Sequence, residues 1–114
     1  MATAAAGYAH AGYATVIDGI VLPGWFFEPL RDALQGDGFA VAYAVLRPPV
    51  AVAQERARAR AGSLSDPAVI EHVWNGFADL GEMEPHAIDS RAHTVEQTAR
   101  LIEGRLRDGS LLVG

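Results

Sequence analysis

A three-layer αβα fold of the α/β class, with a mostly parallel sheet of three strands and about five helices, is what this sequence predicts, and three observations predict it. Apolar, β-branched runs of strand length stand at residues 13–18, 39–46 and 86–90. Segments of helical period separate them. The first two runs are dense in apolar residues rather than alternating, as strands covered on both faces are. Strands that alternate with helices call for right-handed crossovers and therefore for parallel neighbours. At 114 residues the chain has the length of one domain, and half of it is apolar, which is ordinary globular composition.

Taken in order, the alanine-rich opening through His10 has high helix propensity and ends near Gly12. Tyr13 to Asp18 is the first strand, bounded by Gly12 and Gly19. "LPGWFFEPLRDALQGDG" is a loop entering a helix: Pro29 suits a first turn, Phe26, Leu30, Ala33 and Leu34 share a face, and Gly36 closes it. "FAVAYAVL", residues 39–46, is the second strand, stopped at Arg47 by Pro48 and Pro49. "PVAVAQERARARAG" is helical from Pro49 to Ala61, with a narrow stripe of Val50, Ala53, Ala57 and Ala61 and with Arg56 and Arg60 together on one flank. In "SLSDPAVIEHVWNGFADLG", Asp66 is an N-cap, Pro67 takes N1, and the apolar face from Val69 to Leu80 ends at Gly81. "HAIDS", residues 86–90, is the third strand. "TVEQTARLIEGRLRDG" closes with a capping box from Thr94 to Gln97, a face of Val95, Ala99, Ile102 and Leu106, and arginines in the last turn.

Composition excludes several chemistries. All nine basic residues are arginine, so Schiff-base catalysis and the phosphate-gripping lysine of GxxxxGK[ST] are unavailable within these residues. There is no cysteine, which removes disulfides, thiol catalysis and thiolate metal sites. A net charge of −5 argues against a nucleic-acid partner, which needs clustered basic surface. The alanine-rich opening lacks the basic and leucine-rich regions of a secretory leader, and no run of eighteen apolar residues occurs, so a cytosolic protein without membrane contact is expected. The histidines show no HExxH spacing and no GxSxG elbow is present.

What remains is acid and arginine. Asp18 ends the first strand, where open α/β sheets bind ligands. It reads either as a carboxylate that holds magnesium or takes a substrate proton, or as simple Asp-Gly turn chemistry. Asp89 and Ser90 present the same choice after the third strand. Arg47, Arg56 and Arg60 are suited to phosphate, since guanidinium is a permanently charged planar fork, although helices also carry arginine as solvated surface. Trp25 and Phe26 either wall a pocket beside the acid or pack. Trp74 and Phe77 read as packing.

The run "VIDGI…PGWFFEPLRDAL…VAYAVLRPPVAVAQERARARAG…LSDPAVIEHVWNGFADLG…HAIDS…TVEQTARLIEGRL" resembles the carboxyl-terminal two thirds of small P-loop kinases, the group that includes chloramphenicol phosphotransferase, gluconate kinase and shikimate kinase. The resemblance implies ATP and Mg²⁺ as cofactors and a small-molecule phosphate acceptor as substrate. It places Asp18 near the magnesium and the acceptor hydroxyl, and Trp25 and Phe26 at the acceptor. Arg56 and Arg60 fall on the helix that leads into the lid over the transferring phosphates, and Asp89 and Ser90 fall in the loop near the adenine. The family's opening strand, glycine-rich loop and lysine have no counterpart here, so a partial domain over residues 1–114, inactive alone, is expected. In that family the phosphate-loop strand lies between the strands that correspond to residues 13–18 and 39–46. Without it, the two either pair directly or leave unpaired backbone along apolar edges. The rival expectation is a non-catalytic α/β module that forms homo-oligomers through such an edge.

Overall fold

The computed structural model describes residues 7, 9–12, 14–59 and 66–114. The chain divides into two compact units, Met1–Ala42 with Leu112–Gly114, and Tyr43–Leu111.

In the first unit the chain turns through Leu22, Pro23, Gly24 and Trp25. The Leu22 carbonyl accepts from the Trp25 N–H at 3.2 Å, and Gly24 sits at φ +84°, the left-handed position that follows proline in a type II turn. Both Glu28 carboxylate oxygens accept from the Gly24 N–H, at 2.8 and 2.7 Å, and tie this turn to helix α1, Phe27–Gly36. The helix closes one step later than the sequence suggests. Gly36 is its last residue, and Gly38, at φ +87°, makes the reversal. There the Gly38 N–H reaches the Gln35 carbonyl at 3.0 Å and the Phe39 N–H reaches that of Leu34 at 3.1 Å. That pair of bonds is the Schellman pattern, which satisfies two orphan carbonyls. Ala42 forms an isolated antiparallel bridge with Leu112, and the Gln35 side-chain amide donates to the Val113 carbonyl at 3.0 Å.

The second unit carries the sheet. Strand β1, Val45–Leu46, runs parallel to β2, Ala87–Ile88, with Val45 opposite Ala87 and Leu46 opposite Ile88. After the Pro48-Pro49 break comes α2, Val50–Ala59, whose Ala57 is fully packed. Helix α3, Pro67–Gly76, starts as the sequence predicts: Asp66 caps it by accepting the Ala68 N–H at 2.9 Å, with proline at its first position. It ends at Gly76, well before Gly81, and Arg47 donates to the Phe77 carbonyl at its end at 2.8 Å, where a cation is favourable to the helix dipole. A 3₁₀ helix, Gly81–His86, follows. Helix α4, Val95–Arg107, has the predicted capping box between Thr94 and Gln97. The buried set is Tyr43, Val45, Leu80, Ile88 and Leu111 with Pro48 and Ala57, joined by His86, Ser90 and Thr98.

The predicted sheet is corrected accordingly. Residues 14–18 form no strand, the 39–46 run pairs only at Val45–Leu46 and at the Ala42 bridge, and 86–90 contracts to Ala87–Ile88. The molecule is mixed α/β with a two-stranded parallel sheet. Val16, in the middle of the first predicted strand, is 90% exposed; an apolar strand meant for burial on both faces forms only where neighbours lie on both sides of it. The opening helix falls mostly outside the described residues, as do Tyr13, Arg60, Ala61 and Gly62. Among the described residues no helix is long and apolar enough to cross a membrane.

Candidate functional site

Where β1 and β2 end, α2 and the start of α4 meet around Ser90, a residue only 5% exposed. Arg56 of α2 reaches it through both terminal nitrogens: Nη1 donates to the Ser90 hydroxyl at 3.1 Å, and Nη2 to the Ser90 carbonyl at 3.0 Å. A longer bond at 3.4 Å reaches the Arg91 carbonyl. The Ser90 carbonyl also accepts from the His93 N–H at 3.2 Å, which folds the loop back toward the first turn of α4. Two residues expected at the site from unconnected parts of the sequence, Arg56 and Ser90, are thus in direct contact.

Beside this contact lies an open cleft of about 530 Å³, a size that suits a small molecule. Its walls are largely apolar. Leu46 closes one side, and Val95, Ala99 and Ile102 line the other with Thr98, while Arg56, Ser90, His93 and Thr94 supply the polar end. The face of α4 predicted as core is therefore a cleft wall: Val95 is wholly exposed, and the buried residue on that helix is Thr98. Among the described residues no carboxylate pairs with Arg56, whose partners are all neutral oxygens. Its positive charge is left uncompensated at the cleft.

The other predicted residues are placed differently. Asp89 accepts the Arg91 N–H at 2.9 Å and pairs with the Arg91 guanidinium at 3.2 Å, so its carboxylate closes the loop rather than facing a ligand. Arg47, expected at the substrate, is a strut instead. Its Nη1 and Nη2 grip the two Glu84 oxygens at 3.0 and 2.7 Å while Nη1 also holds the end of α3. This fork holds the Glu84 carboxyl below the usual carboxylate range, with a further contribution from the Leu80 N–H. Trp74 packs as predicted and also donates its indole N–H to the Pro48 carbonyl at 2.7 Å.

In the first unit Asp18 is an exposed residue followed by Gly19, and it makes no hydrogen bond or ion pair among the described residues. Trp25 and Phe26 are exposed rather than packed, with ring centroids 4.3 Å apart and planes tilted by 36°. Arg60 lies outside the described residues.

From sequence Thr94 reads as a helix cap, His93 as one of the histidines without ligand spacing, and Thr98 as an ordinary helix position. The signal was there. Ser90 follows a strand, Thr94 caps the next helix, and the carboxyl ends of parallel strands are where such folds bind ligands. His86, which opens the predicted third strand and has no ligand spacing to other histidines, is buried, with Nδ1 2.8 Å from the Tyr43 carbonyl.

The residues present fit only part of ATP. A planar, largely apolar base suits the cleft. The triphosphate does not: the donor set that holds one, a glycine-rich loop with lysine, is not in the sequence. For Mg²⁺, Asp18 offers a single carboxylate, and no group of three metal-ligating side chains occurs among the described residues. Neither a protein-family model nor a curated protein matches the chain.

Proposed function

We propose that these residues carry the nucleobase side of an ATP-dependent small-molecule phosphotransferase, and that the Arg56–Ser90 cleft seats the purine. One observation carries this: a guanidinium fixed by Ser90 beside an apolar cleft at the carboxyl ends of two parallel strands. Arg56 lines the cleft while two of its nitrogens are held by the Ser90 hydroxyl and carbonyl, so its guanidinium is fixed in place beside the apolar walls. A flat cation stacks on aromatic rings. The parallel pairing of β1 with β2 is compatible with the mostly parallel sheet that the kinase resemblance implies.

Asp18 as the magnesium and acceptor carboxylate, and Trp25 with Phe26 as the acceptor border, rest on the resemblance alone. No phosphoryl-transfer step is assigned to the chain by itself, since the sequence holds no glycine-rich loop with lysine.

Titration with adenosine and with ADP, followed by amide NMR shifts, tests the proposal. Both ligands are expected to bind weakly, at ~1 mM, and within about threefold of each other, because the base and not the phosphates makes the contacts. Shifts should centre on Ser90, His93 and Thr94 and vanish in Arg56→Ala. Turnover of magnesium-ATP with any small alcohol should not rise above background. Absence of shifts in the Ser90 loop, or ADP binding far more tightly than adenosine, would overturn the assignment.

A further inference from the structure

We propose, resting on the reading that the cleft seats a purine, that the Thr98 hydroxyl recognises the substituent at C6 of the base. The cleft then takes 6-amino and 6-oxo purine nucleosides alike and disfavours a purine with hydrogen at that position. Thr98 is 7% exposed and lines the cleft beside Val95, Ala99 and Ile102. Its backbone N–H donates to the Thr94 carbonyl at 2.9 Å, but its hydroxyl makes no hydrogen bond among the described residues. No buried side-chain oxygen sealed from solvent lacks a partner among those residues, so the Thr98 oxygen is open, and the opening it borders is the cleft.

A helical threonine can return its hydroxyl to the carbonyl one turn back. Here that carbonyl is Thr94's, and it accepts from the Thr98 N–H without a bond from the hydroxyl. A nearly buried hydroxyl with no partner costs free energy that valine, of the same shape, would not. A ligand that supplies the missing bond removes that cost. Two buried polar side chains line the cleft, Ser90 and Thr98. The Ser90 hydroxyl already accepts from Arg56 at 3.1 Å, so Thr98 is the one left for an occupant.

The walls orient the nucleoside. Ribose carries hydroxyls that stay in water rather than against Leu46, Val95, Ala99 and Ile102. The edge of the base farthest from the ribose, N1 with the C6 substituent, therefore enters deepest and meets the free buried hydroxyl. A hydroxyl turns about its C–O bond either to donate or to accept. It accepts from a 6-amino group and donates to a 6-oxo group, the two patterns that distinguish adenine from guanine at this position. Hydrogen at C6 offers it no such partner. One neutral hydrogen bond of this kind corresponds to about threefold to tenfold in affinity.

Titration of the full chain with adenosine, inosine and purine riboside, which has hydrogen at C6, tests this by amide NMR shifts. Adenosine and inosine are expected to bind within about threefold of each other, and purine riboside about threefold to tenfold more weakly. Thr98→Val should bring adenosine and inosine to the affinity of purine riboside and leave purine riboside itself unchanged. Thr98→Ser, which keeps the hydroxyl, should retain the preference. Because the hydroxyl makes no bond within the protein, the urea midpoint of Thr98→Val is expected to equal or exceed that of the wild type; a lower midpoint would reveal a structural partner and overturn the proposal. Equal weakening of all three nucleosides by Thr98→Val, or loss of the preference in Thr98→Ser, also overturns it. So does wild-type binding of purine riboside as tight as that of adenosine, or a choice of more than about tenfold between adenosine and inosine. Each of these leaves the purine seat standing, whereas a wild-type chain that binds none of the three removes the seat and the C6 contact together.

Discussion

Arg47 and Arg56 show how one side chain takes two roles according to its acceptors. Arg47 meets a carboxylate in a bidentate grip and two main-chain carbonyls, so its charge is neutralised and its geometry serves the fold. Arg56 meets only neutral oxygens, so among the described residues its charge has no carboxylate partner. Arg47→Ala is therefore expected to destabilise the second unit by about 1 kcal/mol, the value of a charged hydrogen bond discounted for partial exposure. Arg56→Ala should change nucleoside binding more than stability. The Glu84 end of the pair predicts a pH dependence. The bonds from Arg47, then that from Leu80, hold its carboxyl below the ordinary value near 4.5. The unfolded chain thus binds more protons than the folded one through the acid range, and stability rises with pH there. The contribution is complete above the ordinary value and is lost as pH falls through the lower folded one. Urea midpoints of the wild type should fall on acidification below about pH 4.5, and those of Glu84→Gln should fall less. Asp108, held low by its hydrogen bonds from Ser110, leaves some acid sensitivity in the variant. Equal acid sensitivity in both proteins would show that the Arg47–Glu84 grip does not persist in solution.

Helices were legible in the sequence because their signals are local. Asp66 with Pro67, and Thr94 with Gln97, act within four residues of themselves, and each sits where it was read. Strands were not, because a strand is defined by its neighbours. The run 13–18 has the composition of a buried strand and none of the pairing, and 39–46 pairs only where Ala87 and Ile88 or Leu112 meet it. Half of the site followed the same divide. Arg56 and Ser90 were named from chemistry and strand position, but their contact and the Thr98 wall depend on how α2 and α4 pack, which no spacing encodes. Arg47 was misplaced because Glu84, its partner, lies in a 3₁₀ helix that shows no clear period. The end of α1 offers a direct comparison of glycines at this scale. A Cβ on either Gly36 or Gly38 meets nothing within 4 Å, so only backbone conformation separates them. Gly38→Ala must force alanine into the left-handed region, at about 1 kcal/mol. Gly36→Ala instead adds a helix-favouring residue and should gain up to about 0.5 kcal/mol. Opposite signs in the exchange-derived stability of α1 are expected; equal signs would place the helix end at Gly36 after all.

At the scale of the molecule, the apolar core is unevenly shared. Tyr43, Val45, Ala57, Leu80, Ile88 and Leu111 are the buried hydrophobic residues of the second unit, whereas among the described residues Phe27 is that of the first. Burial of a large apolar side chain contributes roughly 1.5–3 kcal/mol, and local opening costs least where few such groups are covered. The first unit should therefore open before the second. Its exposed Trp25 and Phe26 make this measurable, since chymotrypsin cleaves after aromatic residues and the second unit offers it the half-buried Trp74 and Phe77 and the buried Tyr43. Brief digestion at low protease is expected to cut after Trp25 or Phe26 first and to leave an intermediate that retains Tyr43–Leu111. Exchange rates should agree, with the amides of 14–19 exchanging at least tenfold faster than those inside Val95–Arg107. Simultaneous cleavage at both sets of aromatics would mean that the two units open together and that the uneven core does not govern stability.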